Sequence, residues 1–250
     1  MKKIEGKIRK AIDRYSLIQA GDHIAVGLSG GKDSMALLAG LAAISKYYPH
    51  PFTLTALSVD PCFSNTATDF TETSAVCNAL GIEHRVKITN LGEIIFDIRK
   101  EKNPCSLCAR MRRGALHDMC VEAGCNKLAL GHHMDDVAET FFLNLFHEGR
   151  IAAFSPKTYL SRKNITMIRP LVFCPEREII NAVARSGLPT VEKSCPHDGV
   201  SERQTIKRFI AQKENEYPGF LKRTFTAIQK ADVSGFGITE CIGSDVIEEK

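Results

Sequence analysis

One segment constrains this chain more than any other. A short apolar run over residues 23–28 passes directly into Ser29-Gly30-Gly31-Lys32-Asp33-Ser34, and then into an Ala- and Leu-rich stretch over 35–47. Read as strand, loop and helix, that order brings several backbone N–H groups and a helix N-terminus to one point, which is an anion site. The glycines let backbone approach a phosphate with no side chain in the way. Lys32 adds a point charge, and the hydroxyls of Ser29 and Ser34 add hydrogen bonds. The spacing is not that of a Walker A loop. A plain glycine turn is the bland alternative, and the Lys-Asp-Ser that follows argues against it.

The remainder of the chain continues the alternation. Strands are predicted over 52–59, 82–88, 127–130 and 165–171, and helices over 69–80, 135–148 and 176–186. Strands alternating with helices predict an α/β fold built on a doubly wound parallel sheet. An N-terminal helix is expected over 7–19, within a unit 1–21, and the main domain over 22–217. Two stretches fit the alternation poorly and read as excursions on the sheet's rim, 91–113 and 191–200; both carry cysteines. A C-terminal tail is expected over 218–250, loose from about Ala231 onward.

At 250 residues, 44% hydrophobic and 25% charged, the chain suits one sizeable domain with appendages. No run approaches the roughly 18 apolar residues of a membrane span. The basic start is followed by no apolar signal core. A cytoplasmic protein with no membrane partner is the expectation. Nine cysteines in such a chain read as thiols, metal ligands or catalysts rather than a disulfide framework. Cys77 and Cys120 read as small hydrophobes.

Two further runs point at a nucleotide. Leu57-Ser58-Val59-Asp60 ends the second strand, where a doubly wound sheet receives ligands, so Ser58 and Asp60 are candidate nucleotide contacts. Asp60 equally reads as a turn residue before Pro61. Gly131-His132-His133-Met134-Asp135-Asp136 closes the fourth strand and opens a helix. Asp135 or Asp136 caps that helix, or the pair coordinates Mg²⁺ on ATP phosphates. The adjacent histidines point apart, which disfavours a joint metal site with the aspartates.

Cys105-Ser106-Leu107-Cys108 is a redox pair, half a zinc site or half a cluster site. With Cys195 in the second excursion it makes three thiols. These could hold a [4Fe-4S] cluster with one iron open, or Zn²⁺ with His117 or His197 as fourth ligand, and spacing does not separate the two. Arg110, Arg112 and Arg113 form either a solvated helix face or an RNA backbone contact. Arg169, Arg203, Lys207 and Arg208 are further basic candidates. A net charge of +4 permits a polyanionic partner without demanding one. With no Trp and no RNP-type aromatics, reading the shape of a folded RNA fits better than stacking on single-stranded bases.

Ser29 to Ser34 resembles the PP-loop of the adenine-nucleotide α-hydrolase-like ATP pyrophosphatases, which split ATP between its α and β phosphates. The resemblance implies that Gly30, Gly31, Lys32 and Ser34 hold the departing pyrophosphate and that Asp33 helps to place Mg²⁺. Residues 131–136 resemble the Gly-His-x-x-Asp-Asp motif of PP-loop enzymes that modify tRNA. That match puts Gly131 beside the adenine, and Asp135 and Asp136 near the phosphates and Mg²⁺. The block Cys105 to Gly114, the segment Ile168-Arg169-Pro170-Leu171 and the Cys-Pro-x-Asp-Gly stretch over 195–199 resemble, in the same order, the TtcA-type tRNA 2-thiocytidine synthetases.

What this likeness implies is ATP-dependent thiolation of a tRNA cytidine. Lys32, Asp33 and Asp136 would be its catalytic set, and Cys105, Cys108 and Cys195 the ligands of an oxygen-sensitive [4Fe-4S] cluster. The implied partners are tRNA and a sulfur donor such as a cysteine desulfurase, and a homodimer is compatible. Rival readings are another PP-loop adenylating enzyme, such as a lysidine synthetase or a thiolase of another base, and a zinc-stabilised RNA- or nucleotide-binding protein. Three rim cysteines have no task in lysidine chemistry.

Overall fold

The computed structural model describes residues 1–63, 66–99, 104–191, 195 and 202–237. Its strands are β1 (His23–Gly27), β2 (Thr53–Asp60), β3 (Glu83–Ile88), β4 (Lys127–Ala129), β5 (Lys157–Leu160) and β6 (Ile165–Ile168). They form one sheet in the order β3-β2-β1-β4-β6-β5. Strand β1 pairs in parallel with β2 and β4, β2 with β3, and β4 with β6, while β5 runs antiparallel as the outer arm of a hairpin with β6. The helices are α1 (Lys2–Tyr15), α2 (Lys32–Ile44), α3 (Thr71–Ala79), α4 (Leu91–Glu93, running into a π turn at Ile94–Ile98) and α5 (Pro104–Glu122). They continue with α6 (Met134–Glu148), α7 (Glu176–Ser186), α8 (Glu202–Glu216) and α9 (Phe220–Lys230).

Both faces of the sheet are covered, as the alternation predicts. Along β1 the two-residue strand period sends Ile24 and Val26 into one core and Ala25 into the other. The first core takes Ile8 of α1, Leu37 of α2, Ile179 of α7 and Phe225 of α9. The second is closed by Met119 and Cys120 of α5 over Leu57, Leu128 and Met167. Cys77 and Cys120 are both fully buried, as small hydrophobes should be.

Three sequence expectations change. Helix α1 begins at Lys2 and ends at Tyr15, and buries Ile4, Ile8 and Ile12 in the main core, so residues 1–21 are not a separate unit. The stretch from 218 is not all tail: α9 buries Phe225 and Ile228, and Phe236 packs edge-on against Tyr15 and Phe225. Residues 238–250 lie outside the described residues. The excursion 91–113 holds α4 with its π turn and the start of α5, a 19-residue helix that roofs the second core. Its inward stripe of Cys108, Met111, Ala115 and Met119 has helical spacing but little bulk, so the period was easy to overlook.

The strand order reverses at β1 and β4. Ligands of open α/β sheets bind outside the carboxyl ends at such a switch point. The loop 28–31 leaves β1 there, and residues 130–133 leave β4 beside it.

Candidate active site

The loop after β1 is shaped by its own hydroxyls. Ser34 Oγ donates to the Gly31 carbonyl (2.9 Å), accepts from Ser29 N (3.2 Å) and meets Ser29 Oγ (3.2 Å). Helix α2 starts at Lys32, so its first-turn N–H groups face the loop. Gly30 has φ +75°, and a Cβ there would lie 2.5 Å from Val191 Cγ2. Its carbonyl accepts from Val191 N at 3.0 Å, which ties the loop to the base of the second excursion. Gly131 sits against the same turn: a Cβ on it would meet Asp33 C and Ser34 N, each at 3.2 Å. The two motifs, 97 residues and more apart in sequence, are therefore in backbone contact.

Charge is layered over this turn. Lys32 Nζ lies 2.9 Å from Asp33 Oδ2 and 3.0 Å from Glu176 Oε1. Burial alone would lower the Lys32 pKa, but the two carboxylates outweigh it and raise it. Glu176 also takes Lys207 at 2.7 Å; despite its burial, Lys207 and Lys32 hold its pKa down to about 2. The other Asp33 oxygen, Oδ1, is buried without a hydrogen-bond partner among the described residues, with His133 Nε2 at 3.8 Å. A bare, buried carboxylate oxygen beside a phosphate loop fits a divalent cation, which takes hard oxygen donors.

His133 organises the start of α6. Its Nδ1 accepts from Asp136 N (3.4 Å) while its own N donates to Asp136 Oδ2 (2.9 Å), a reciprocal cap. Asp135 instead accepts from Glu176 N (2.7 Å), so it caps α7 and thereby places the carboxylate that holds Lys32. Burial is the main reason its pKa is raised. Arg203 of α8 reaches Asp136 Oδ1 (3.4 Å) and Glu139 Oε2 (3.2 Å). Glu139, 4% exposed, has its pKa raised to about 7 by burial and by Asp136. His132 packs on the Phe154 ring.

Strand β2 contributes differently from expectation. Ser58 Oγ donates to the Leu28 carbonyl and meets His84 Nε2 (2.8 Å). Asp60, 1% exposed, accepts from Cys62 N (3.0 Å), Thr68 N (2.7 Å) and Thr68 Oγ1 (2.8 Å). Both side chains are thus engaged within the fold, Asp60 as the turn residue after β2. Pleating puts Val59, with Pro61 and Thr68, on the cavity instead.

That cavity, about 580 Å³, is lined by Ser29, Gly31, Lys32 and Asp33 on one side and by Arg112 and Cys195 on another. Cys195 and Cys108 share an apolar cluster with Phe63, Leu91 and Ile95. Cys105 is exposed one turn before Cys108 on α5. Burial raises the Cys108 pKa; Arg112 opposes this, while Cys195 and Cys105 add to it, so both other thiols lie within electrostatic range of Cys108. Among the described residues no three His, Cys, Asp or Glu side chains are gathered tightly enough for a single ion. A lone zinc at about 2.3 Å from each sulfur would draw the thiols together. A cluster bridges thiolates on separate irons, and an all-thiol donor set fits it. His117 is nine residues beyond Cys108 on the same helix, about 13 Å along its axis; it is no fourth ligand, and His197 lies outside the described residues.

Arg112 faces the cavity, whereas Arg110 and Arg113 are exposed on other sides of α5. Sequence reasoning missed Glu176 as a site residue. Its signal was an acid in the first turn of the helix after the Arg-Pro-Leu segment.

The chain matches the PP-loop domain family over residues 1–214. It is 40% identical over 220 residues to a tRNA-cytidine(32) 2-sulfurtransferase of Syntrophotalea carbinolica, covering 87% of this chain and 84% of that protein. It is 36% identical over 230 residues to the protein of the same description in Geobacter sulfurreducens, covering 91% and 89%. Among solved structures it resembles the U34-tRNA thiolase NcsA of Methanococcus maripaludis, determined with its [4Fe-4S] cluster: TM-score 0.72, 26% identity, 90% of this chain and 76% of that one.

Proposed function

The chain belongs to the PP-loop family that contains the tRNA-cytidine(32) 2-sulfurtransferases, and from that premise we propose that it is an ATP-dependent tRNA thiolase acting on a cytidine. One observation carries the reading: the phosphate loop and Cys195 line the same cavity, so activation and sulfur transfer share one space. The base and position follow the relatives, cytidine 32.

The chemistry divides into two displacements. The C2 oxygen of the base attacks the α-phosphorus of ATP; the bond to the β-phosphate oxygen breaks and pyrophosphate leaves. Sulfide then adds at C2, and the C2–O bond breaks to release AMP. Lys32 and the first N–H groups of α2 stabilise charge on the departing pyrophosphate. Asp33 Oδ1, with Asp136 nearby, would hold Mg²⁺, which when bound would supply positive charge to the phosphates. Glu176 orients Lys32, and Asp135 orients Glu176.

Cys105, Cys108 and Cys195 would hold a [4Fe-4S] cluster, which when bound would supply activated sulfur. The apolar wall of Phe63, Leu91 and Ile95 shields that corner from water. Arg112, between the cysteine helix and the cavity, contacts the substrate there, and Arg110 and Arg113 extend the RNA surface. A cysteine desulfurase is the fitting sulfur source, the cytoplasm the fitting compartment and a homodimer the fitting assembly.

The test is anaerobic purification followed by a thiolation assay on unmodified tRNA, read by mass spectrometry of nucleosides. Wild-type protein is expected to be brown and to yield 2-thiocytidine with release of pyrophosphate. Cys108→Ala and Cys195→Ala should lose the colour and the product while binding ATP within about twofold of wild type, since neither thiol is engaged by the phosphate loop. Thiolation at the normal rate by either variant would sink the proposal.

A further inference from the structure

A buried cation with no counter-charge among the described residues stands on the β6 side of the active site. Arg169 directly follows β6 and is 6% exposed. Its Nη1 donates to the Ser155 carbonyl and to Thr158 Oγ1 (3.2 Å), and its guanidinium lies 5.0 Å over the Phe154 ring. All three partners are neutral. Its Nε is buried with no hydrogen-bond partner, and among the described residues no carboxylate opposes its charge. Burial, and secondarily Arg113 of α5, push its pKa down to about 10.

The neighbours share the defect. His132 packs on the same Phe154 ring at 5.0 Å, and its Nδ1 is likewise buried and unpartnered. Burial is the main reason the imidazole is held neutral, with a pKa near 4; Arg169 and Arg203 push the same way and Asp136 opposes them. Thus two groups with unsatisfied nitrogens pack on one aromatic ring, and the exposed Arg113 is within electrostatic range of Arg169. A buried polar atom without a partner is costly, and a buried unpaired charge more so. Guanidinium groups answer that cost by binding phosphate.

We propose that Arg169, His132 and Arg113 form a subsite for one backbone phosphodiester of the RNA substrate, adjoining the base that is adenylated. This rests on the tRNA-thiolation reading. The side of the sheet selects RNA over nucleotide. The cavity that takes ATP lies toward β2, where Val59 and Phe70 line it and Arg112 looks in. Arg169 and His132 follow β6 and β4, on the other flank of the switch point. Neighbouring positions on α5 lie about 100° apart around the helix, so Arg112 serves the cavity while Arg113 serves the phosphodiester.

The experiment measures binding of an unmodified tRNA transcript by fluorescence anisotropy across a potassium chloride series, with the full chain holding its cluster. Each phosphate contact contributes about 0.7–0.9 to the slope of log affinity against log salt. Arg169→Gln is expected to flatten that slope by about this amount, and Arg169→Lys to restore it. ATP affinity should stay within about twofold in both. Thr158→Val, which removes only an internal hydrogen bond of Arg169, should leave the slope intact.

If Arg169→Gln fails to fold, Arg113→Gln, at an exposed site, carries the same expectation. An unchanged slope in the folded variants overturns the subsite, as does a loss confined to ATP affinity, which would assign the anion to the nucleotide. Absence of tRNA binding by wild-type protein would instead overturn the thiolation reading itself.

Discussion

Gly30 joins the two halves of the site, and replacing it with alanine separates its two jobs. At φ +75° any residue with a Cβ is in the left-handed region, which costs about 1–2 kcal/mol. The added Cβ would also stand 2.5 Å from Val191 Cγ2 and 2.7 Å from Val191 Cβ. Overpacking of that kind costs about 1–3 kcal/mol, because the neighbour must move. The combined penalty, about 2–5 kcal/mol, is borne by the loop, which can relax only by leaving its phosphate-binding shape. At about 1.4 kcal/mol per factor of ten, ATP affinity should fall by about 30-fold to several thousand-fold.

Val191→Gly removes the clashing carbons but not the backbone strain. Gly30→Ala combined with Val191→Gly should therefore recover the packing part and retain a loss of about 5–30-fold. Titration calorimetry with ATP on wild type, both single variants and the double variant gives the coupling directly. ATP binding by Gly30→Ala within twofold of wild type would refute the strain and the clash together. A double variant no better than Gly30→Ala would refute the contact with Val191.

Three other outcomes are expected. Lys32→Gln should slow pyrophosphate release by about 10²–10³-fold, the loss typical of one oriented charge-stabilising donor, measured by a coupled pyrophosphatase assay. Glu139 has a folded pKa of about 7, above its unfolded value, so the native state binds the extra proton and stability falls as pH rises from about 4.5 through 7. Denaturant melts of wild type against Glu139→Gln should show a difference that shifts by about 2–3 kcal/mol in favour of the variant between pH 5 and pH 8; a pH-independent difference would contradict the burial. Asp22 and Lys127, 5% exposed each and 2.6 Å apart, pin α1's exit to β4 far from the site. Asp22→Ala should destabilise the fold by about 3–5 kcal/mol by stranding the lysine, while Asp22→Ala with Lys127→Met should cost less by chemical denaturation.

The five parallel strands were legible as short runs set off by glycine or proline, whereas the antiparallel β5 was not predicted. The phosphate loop and the Gly-His-His-Met-Asp-Asp run were legible for the same reason: each is contiguous, so its spacing survives in one dimension. Helix α5 was not, since its buried stripe of Cys108, Met111, Ala115 and Met119 lacks the large side chains that mark a core face. Helix α9 was hidden in a stretch read as tail, although Phe225 and Ile228 stand three apart on its inner side.

Roles that depend on who faces whom lay beyond the sequence. Ser58 and Asp60 look like ligand contacts on paper, yet strand pleating and the turn after β2 engage both within the fold. Asp135 looks like a metal ligand, yet the approach of α7 makes it a helix cap. Glu176, 40 residues beyond the second motif, becomes the partner of Lys32 only because α7 packs on α2. By itself the sequence determined that Ser29 to Ser34 gather backbone N–H groups into an anion-binding geometry, since a glycine loop and a helix start need no distant partner for that. Only the tertiary structure decided which side chains surround that loop and that Cys195 opens into the same cavity, because both are contacts across the sheet's switch point, between residues that chain order keeps apart.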